Sequence, residues 1–140
     1  FESIDSILPL FKDDPKTHEL ATLNARIFLA QILATAKDPD ALTLAKATYR
    51  LRPNAVTANR LADVYDRLGD FASARKYYYI FARRSRKRDI PYVYLSLAAF
   101  FKHAGPDREL KKFVSKMKRL GKFKTDQLYR REVERLLEIK

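Results

Sequence analysis

The sequence predicts an all-α fold built from antiparallel helix pairs. Its 140 residues include only three glycines and six prolines, so few positions favour turns. No stretch sustains the strict polar and apolar alternation of a half-buried strand, whereas apolar residues recur at intervals of three and four. Together these observations predict amphipathic helices joined by short turns.

The first predicted hairpin covers residues 17–53. Its first helix runs to about residue 36, where the sequence KDPD ends the apolar periodicity. Its second helix spans about residues 40–51 and stops before Pro53, because the residue before a proline is biased away from the helical conformation. A partial helix within residues 1–15 precedes this hairpin.

Two more hairpins and a last helix follow. The hairpin of residues 54–88 pairs a helix over 56–68 with one over 71–84, and Gly69 closes the first of them as a left-handed cap. In the next hairpin the glycine cap Gly105 is followed by Pro106, and Thr125 or Asp126 can cap the C-terminal helix. Their ranges are 91–122 for the hairpin, with helices over 92–103 and 106–120, and 125–140 for a C-terminal capping or half-repeat helix.

The three hairpins are copies of one unit. Each first helix carries a leucine followed by an alanine, and the successive separations are 32 and 36 residues. Such periods are typical of stacked helical hairpins. A small residue at this place allows neighbouring helices to approach closely. The pairs are Leu29-Ala30, Leu61-Ala62 and Leu97-Ala98.

The middle hairpin resembles the tetratricopeptide repeat signature. The matching positions are Leu61, Ala62, Tyr65, Gly69, Phe71, Ala74 and Tyr78. The outer hairpins match in part, and the resemblance covers about residues 22–123. It implies a right-handed superhelix of antiparallel helix pairs, with first helices on the concave face and second helices on the convex face.

A second resemblance is confined to the middle hairpin. The stretch RPNAVTANRL, residues 52–61, is similar to the opening of a pentatricopeptide repeat, a family that reads single-stranded RNA one base per repeat. This resemblance implies base-reading roles for Asn59 and Asp89. Ile27 and Leu95 stand at the place of Asn59 in the other copies and cannot hydrogen-bond a base edge, so the tetratricopeptide interpretation is preferred.

No residue pattern in the sequence is typical of a catalytic or metal site. His18 and His103 stand on different predicted hairpins, and neither has a partner at metal-ligand spacing. The chain has no cysteine, no HExxH motif and no glycine-rich phosphate loop. We therefore expect a protein that is not an enzyme and uses neither a cofactor nor a metal.

The stretch YYYIF, residues 77–81, suggests either a platform for stacking bases or a packing surface. In a helical array each second helix is flanked on most sides, which requires apolar residues around most of its circumference. We therefore interpret these aromatic residues as packing between neighbouring hairpins. Tyr77 and Ile80 are expected to meet a neighbouring repeat, and Tyr79 is expected near solvent.

The concave face that the resemblance implies would carry polar side chains and one aromatic side chain. Such a face suits hydrogen bonding to a peptide backbone. The leading functional hypothesis is therefore a non-catalytic protein-protein interaction scaffold that binds a protein or peptide segment. The implied binding residues, called the groove residues below, are Asn24, Gln31, Asn59, Asp63, Asp66, Arg67, Tyr92, Lys102 and His103.

The net charge of +12 is unevenly distributed. Residues 81–124 contain 14 lysines and arginines against three carboxylates, which leaves about +1 for the rest of the chain. Such a segment suits nucleic acid or another polyanion, so polyanion or RNA binding is a second hypothesis, although helix dipoles explain some of these cations. The candidate residues, called the basic residues below, are Arg83, Arg84, Arg86, Lys87, Arg88, Lys111, Lys112, Lys116, Lys118 and Arg119.

A third hypothesis is a structural assembly element of a secretion or polymer-export machine, in which the hairpins only stack on other repeats. No apolar run approaches the roughly 20 residues of a membrane-spanning helix, so we expect a soluble segment, cytoplasmic or periplasmic, without a transmembrane helix. The sequence starts at Phe1 rather than methionine. We therefore expect an excerpt of a longer protein that contributes flanking repeats.

Overall fold

The computed structural model describes residues 15–138, with the side chains of residue 19 and of residues 21–138. This part of the chain forms eight α-helices and one short 3-10 helix and contains no strand, which confirms the predicted all-α class. The helices are α1 (Pro15–Thr35), α2 (Asp40–Leu51), α3 (Ala55–Arg67), α4 (Phe71–Arg84), the 3-10 helix (Lys87–Asp89), α5 (Ile90–Ala104), α6 (Asp107–Lys118), α7 (Gly121–Thr125) and α8 (Gln127–Leu136).

Helices α2 and α4 have the predicted bounds, and α1, α3 and α5 differ from prediction by one or two residues at their ends. The partial helix expected in residues 1–15 lies outside the described residues, except that Pro15 begins α1. The second helix of the third hairpin also differs by one or two residues, and it ends before Leu120, which adopts an extended backbone conformation. The residues after it form the separate helix α7, which the sequence analysis does not predict.

The chain divides into two compact units, of which the first ends at Ile80 and the second begins at Phe81. In the first unit α1 contacts α2 and α3, and α2 also contacts α3. In the second unit α5 contacts α6 and α8, and α6 also contacts α8. In the first unit α1 therefore contacts its hairpin partner and the first helix of the next hairpin, and in the second unit α5 contacts its hairpin partner and the C-terminal helix α8. This arrangement is compatible with a helical repeat.

The small residues of the repeated pairs lie in the core. Ala30, Ala62 and Ala98 are 2%, 0% and 0% exposed. Leu61 and Leu97 beside two of them are also buried. Burial of these alanines agrees with the prediction that helices approach closely where they stand.

The turns of the middle hairpin follow local sequence signals. Asn54 and Thr57 form a capping box at the start of α3, in which each side chain hydrogen-bonds the backbone N–H of the other residue. Gly69 after α3 has a φ of +85°, a conformation that residues with a Cβ rarely adopt. The predicted left-handed cap is therefore confirmed.

Of the aromatic residues of α4, Tyr77 meets a neighbouring hairpin as predicted. The ring of Tyr77 contacts Tyr65 of the same hairpin and Tyr49 of α2, which belongs to the preceding hairpin. Tyr79, expected near solvent, is half-buried, and the Arg75 guanidinium lies 5.9 Å from its ring centroid. Residue 77 thus connects neighbouring hairpins, and its ring is not open for stacking a base.

None of the helices within residues 15–138 combines the length and the apolar content that crossing a membrane requires.

Candidate functional site

The groove residues of the first unit lie on α1 and α3, two helices that contact each other. Asn24 and Arg67 are exposed. The other four are half-buried: Gln31, Asn59, Asp63 and Asp66. The side chains of this part of the predicted groove are therefore at least partly accessible, while their role in binding stays a prediction.

Arg67 connects the two helices that carry these residues. Its Nε donates a hydrogen bond to Oδ2 of Asp63 at 3.0 Å, and its Nη1 donates to the hydroxyl of Thr35 at 2.9 Å. Asp63 precedes it by one turn of α3, whereas Thr35 is the last residue of α1. The guanidinium is thus held in one orientation at the end of α1, because two acceptors from different helices fix it.

Asp63 and Asp66 also lie close to a buried tyrosine of the same hairpin. Tyr78 of α4 is buried, and burial is the main cause that raises the pKa of its phenol well above the usual range. The negative charges of Asp63 and Asp66 raise this pKa further. Burial and the two carboxylates therefore both disfavour ionisation of this phenol.

Tyr92 forms an aromatic patch in the second unit. Its side chain is 55% exposed, and its ring meets the ring of Tyr129 edge-on at 6.4 Å. The Lys122 ammonium lies 5.2 Å from the Tyr92 ring centroid and 3.0 Å from Oδ2 of Asp126. The Asp126 hydrogen bond, followed by one with Tyr92, raises the pKa of Lys122. This contact places a cation against one aromatic ring of the predicted groove.

Lys102 and His103 lie at the opposite end of α5, roughly 15 Å along the helix axis from Tyr92. The Lys102 ammonium donates a hydrogen bond to the carbonyl of Arg135 at 3.0 Å. His103 Nδ1 lies 3.1 Å from the carbonyl oxygen of Ala99. The structure therefore does not bring Tyr92 together with the other two groove residues of this helix.

A depression of about 520 Å³ opens at this end of α5. Lys102 and His103 line it together with Leu110 of α6 and with Leu136 and Leu137 at the end of α8. Two exposed carboxylates and a further lysine complete its lining. An apolar floor with charged groups around it suits one apolar side chain of a bound polypeptide.

The basic residues all belong to the second unit. Nine of the ten are exposed, and Lys116 is half-buried. Lys112 pairs with Glu109 at 3.7 Å, and Arg88 pairs with Asp89 at 3.8 Å. The pair of Arg88 and Asp89 is exposed on both sides and holds its cation weakly. The cationic surface of this unit is therefore open to a partner.

Several residues beside the predicted groove were not found from the sequence. These are Thr35, which contacts Arg67, and Lys122 and Tyr129, which contact Tyr92. In each case the two residues are 30 or more positions apart in sequence. The spacing of Lys122 and Asp126 by four residues was a readable signal for a helix-turn ion pair. Within residues 15–138, no group of three or more histidine, aspartate or glutamate side chains is placed to hold a metal ion.

Comparison of the chain with protein-family models, with curated proteins and with solved structures finds no match. The tetratricopeptide resemblance therefore stays a prediction. The described residues form an all-helical array in which neighbouring helices pack against each other.

Proposed function

We propose that this chain is a non-catalytic scaffold that binds a protein or peptide segment along the surface of its first helices. The observation that carries this proposal is the contact of α1 with α3 in the first unit and of α5 with α8 in the second. Within each unit, helices that lie side by side offer a surface to an extended polypeptide. A right-handed superhelix of the tetratricopeptide type would make this surface concave.

In the first unit, the fixed guanidinium of Arg67 supports the proposal. Its two hydrogen bonds, to Asp63 and Thr35, hold it in place before any partner arrives. A pre-organised donor loses less conformational entropy on binding than a free side chain does. Exposed Asn24 and half-buried Asn59 add side-chain amides, which can both donate hydrogen bonds to a peptide backbone and accept them from it.

In the second unit, Tyr92 supports the proposal. About half of its side chain is exposed, while Tyr129 and Lys122 support the ring from the protein side. Aromatic side chains that are held rigidly and remain partly open are frequent energetic centres of protein interfaces. Tyr92 is therefore the aromatic anchor of the proposed binding surface.

The test begins with peptides selected against the wild-type chain from a displayed random library. Their affinities are then measured by fluorescence anisotropy for wild type, for Asn59→Ala and Tyr92→Ala, and for Arg75→Ala on the second helix α4 as control. Both groove variants should weaken binding by about tenfold, which corresponds to about 1.4 kcal/mol. Far-ultraviolet circular dichroism should show unchanged helical content. Selected peptides that bind both groove variants as tightly as wild type would exclude this surface.

A second candidate function is polyanion binding by the second unit. Residues 81–140 carry a formal charge of +11 and residues 1–80 carry +1, so the excess charge lies almost wholly in one unit. Phosphate binding by such a surface releases counterions and weakens steeply with salt. Affinity for heparin or DNA that does not change between low and high salt would contradict this candidate.

A further inference from the structure

Helix α6 has a packed side and a cationic side. Phe113, Val114 and Met117 are buried on the packed side. After Asp107, the exposed residues of the helix and its C-cap are five cations and one serine. We call this surface the α6 face, and its residues are Arg108, Lys111, Lys112, Ser115, Lys118 and Arg119.

The α6 face forms a straight row of charge. Arg108, Lys112, Ser115 and Arg119 are spaced by four, three and four residues, which places them on one line along a helix. Eleven residues of helix span roughly 16 Å. Ser115, near the middle, is the one uncharged position in this line.

The cations of this surface have few partners within the protein. Among the described residues, Arg108, Lys111 and Arg119 have no ion-pair partner, and Lys112 has the 3.7 Å pair with half-buried Glu109. The Lys112 ammonium also lies 5.4 Å from the centroid of the Phe113 ring. This contact holds its aliphatic stem against the protein and leaves its charge at the surface.

The chemistry of the α6 face favours duplex nucleic acid over other polyanions. A duplex carries one negative charge per about 1.7 Å of its axis, so a length of about 16 Å of duplex carries on the order of ten phosphates, of which the row meets those on its own side. A lipid surface fits less well, because basic membrane-surface helices bury their apolar side in lipid and α6 uses that side in the core. An unpaired strand would need exposed rings for base stacking, but Phe113 is buried and Tyr94 is half-buried below Lys116.

We propose that the α6 face binds the phosphate backbone of double-stranded nucleic acid without reading its bases. The proposal rests on the second candidate function and names the partner and surface for it. The face carries no asparagine or glutamine for adenine edges, and its lysines act on phosphates as point charges. Arginine can contact guanine edges, so phosphate binding alone predicts equal affinity for duplexes with and without guanine. A preference for the guanine-rich duplex would contradict binding without base reading.

The test measures binding of a mixed-sequence 20-base-pair DNA duplex to the full chain by fluorescence anisotropy over a range of salt concentrations. Ser115→Lys completes the row of charge and should steepen the slope of log K against log salt by about 1. Lys112→Gln should reduce the slope by about 1. Ser115→Glu and Arg86→Gln each lower the net charge by one. Ser115→Glu should weaken binding, and Arg86→Gln, which lies outside α6, should weaken it less.

The results separate this inference from the function on which it rests. Failure to bind any polyanion overturns both. If duplex binding depends on salt and responds to Arg86→Gln but not to the Ser115 and Lys112 variants, the protein binds polyanions but α6 is not the binding surface. Tighter binding to a single strand of equal length, to polyglutamate or to anionic vesicles than to the duplex overturns the proposed partner.

Discussion

The ring of Tyr77 lies nearly parallel to the ring of Tyr65, with centroids 5.6 Å apart and planes 15° from parallel. Tyr49 meets the Tyr77 ring edge-on at 5.4 Å. These rings come from α4, α3 and α2, so a single side chain connects both helices of one hairpin with the preceding hairpin. Offset-stacked and edge-to-face pairs each contribute energy beyond the area they bury.

Tyr77→Ala should lower the free energy of unfolding by about 2–4 kcal/mol, because it removes both ring contacts and leaves a cavity among three helices. Urea denaturation followed by circular dichroism measures this change. Tyr79→Ala, two residues further along the same helix, is the matched control and should cost clearly less. An equal cost for the two variants would contradict the connecting role of Tyr77.

Ala62→Leu should destabilise the protein by about 1–3 kcal/mol, because Ala62 is 0% exposed and three more carbon atoms would have to fit into the buried core. Ala72→Leu on the exposed side of α4 adds the same atoms without a steric conflict and should stay within about 0.5 kcal/mol of wild type. Thermal unfolding of the two variants compares them directly. A tolerated leucine at residue 62 would show that the helices do not approach closely there.

Thr57→Val should cost about 1–3 kcal/mol, because the hydroxyl of this buried residue donates to the carbonyl of Arg52 at 2.5 Å and accepts from the backbone N–H of Asn54. Asn54→Ala should cost about 1 kcal/mol through loss of the helix cap. The two residues share one capping box, so the double variant should lose less than the sum of the single variants. Strictly additive losses, measured by urea denaturation, would show that the two hydrogen bonds act independently.

Stability should fall as the pH rises above about 10. Burial raises the pKa of Tyr129 to about 12, whereas a tyrosine in the unfolded chain ionises near pH 10. The folded state therefore binds more protons than the unfolded state in this window, and the contribution present below pH 10 is lost as the pH approaches 12. Burial raises the pKa of Tyr78 as well, which acts in the same direction.

Urea midpoints at pH 8 and pH 11 measure this effect. Tyr129→Phe lacks the hydrogen bond from the phenol to the carbonyl of Pro91, so at pH 8 it should be about 1 kcal/mol less stable than wild type. Its further loss between pH 8 and pH 11 should be smaller, since phenylalanine cannot ionise. Equal losses for both proteins would assign the alkaline sensitivity to other groups.

Much of the helical framework could be predicted from the sequence because its signals are local. The apolar periodicity, Gly69 and the proline at residue 53 mark helices and turns within a few residues of where they act. The repeated small residues also predicted where helices pack closely. The short helix α7 was not predicted, because the sequence places a turn after residue 120 and Gly121 at the start of this segment disfavours helix.

The details of the candidate site were harder to predict from the sequence, because they depend on contacts between residues that are distant in sequence. Periodicity places Arg67 and Tyr92 on helices but cannot show that Thr35 fixes the first or that Lys122 lies against the second. The separation of Tyr92 from Lys102 follows from helix length alone and could have been predicted. The cationic row on α6 was partly predicted, but Arg108 and the central serine became relevant only when the exposed side of the helix was known.

The three tyrosines at the centre of the first unit also give the protein an optical signature. The chain contains no tryptophan, so tyrosine dominates its near-ultraviolet spectrum. Rings held at fixed angles to one another couple electronically and produce circular dichroism that freely rotating rings do not. The coupled rings of Tyr49, Tyr65 and Tyr77 therefore provide a label-free spectroscopic probe of packing in the first unit.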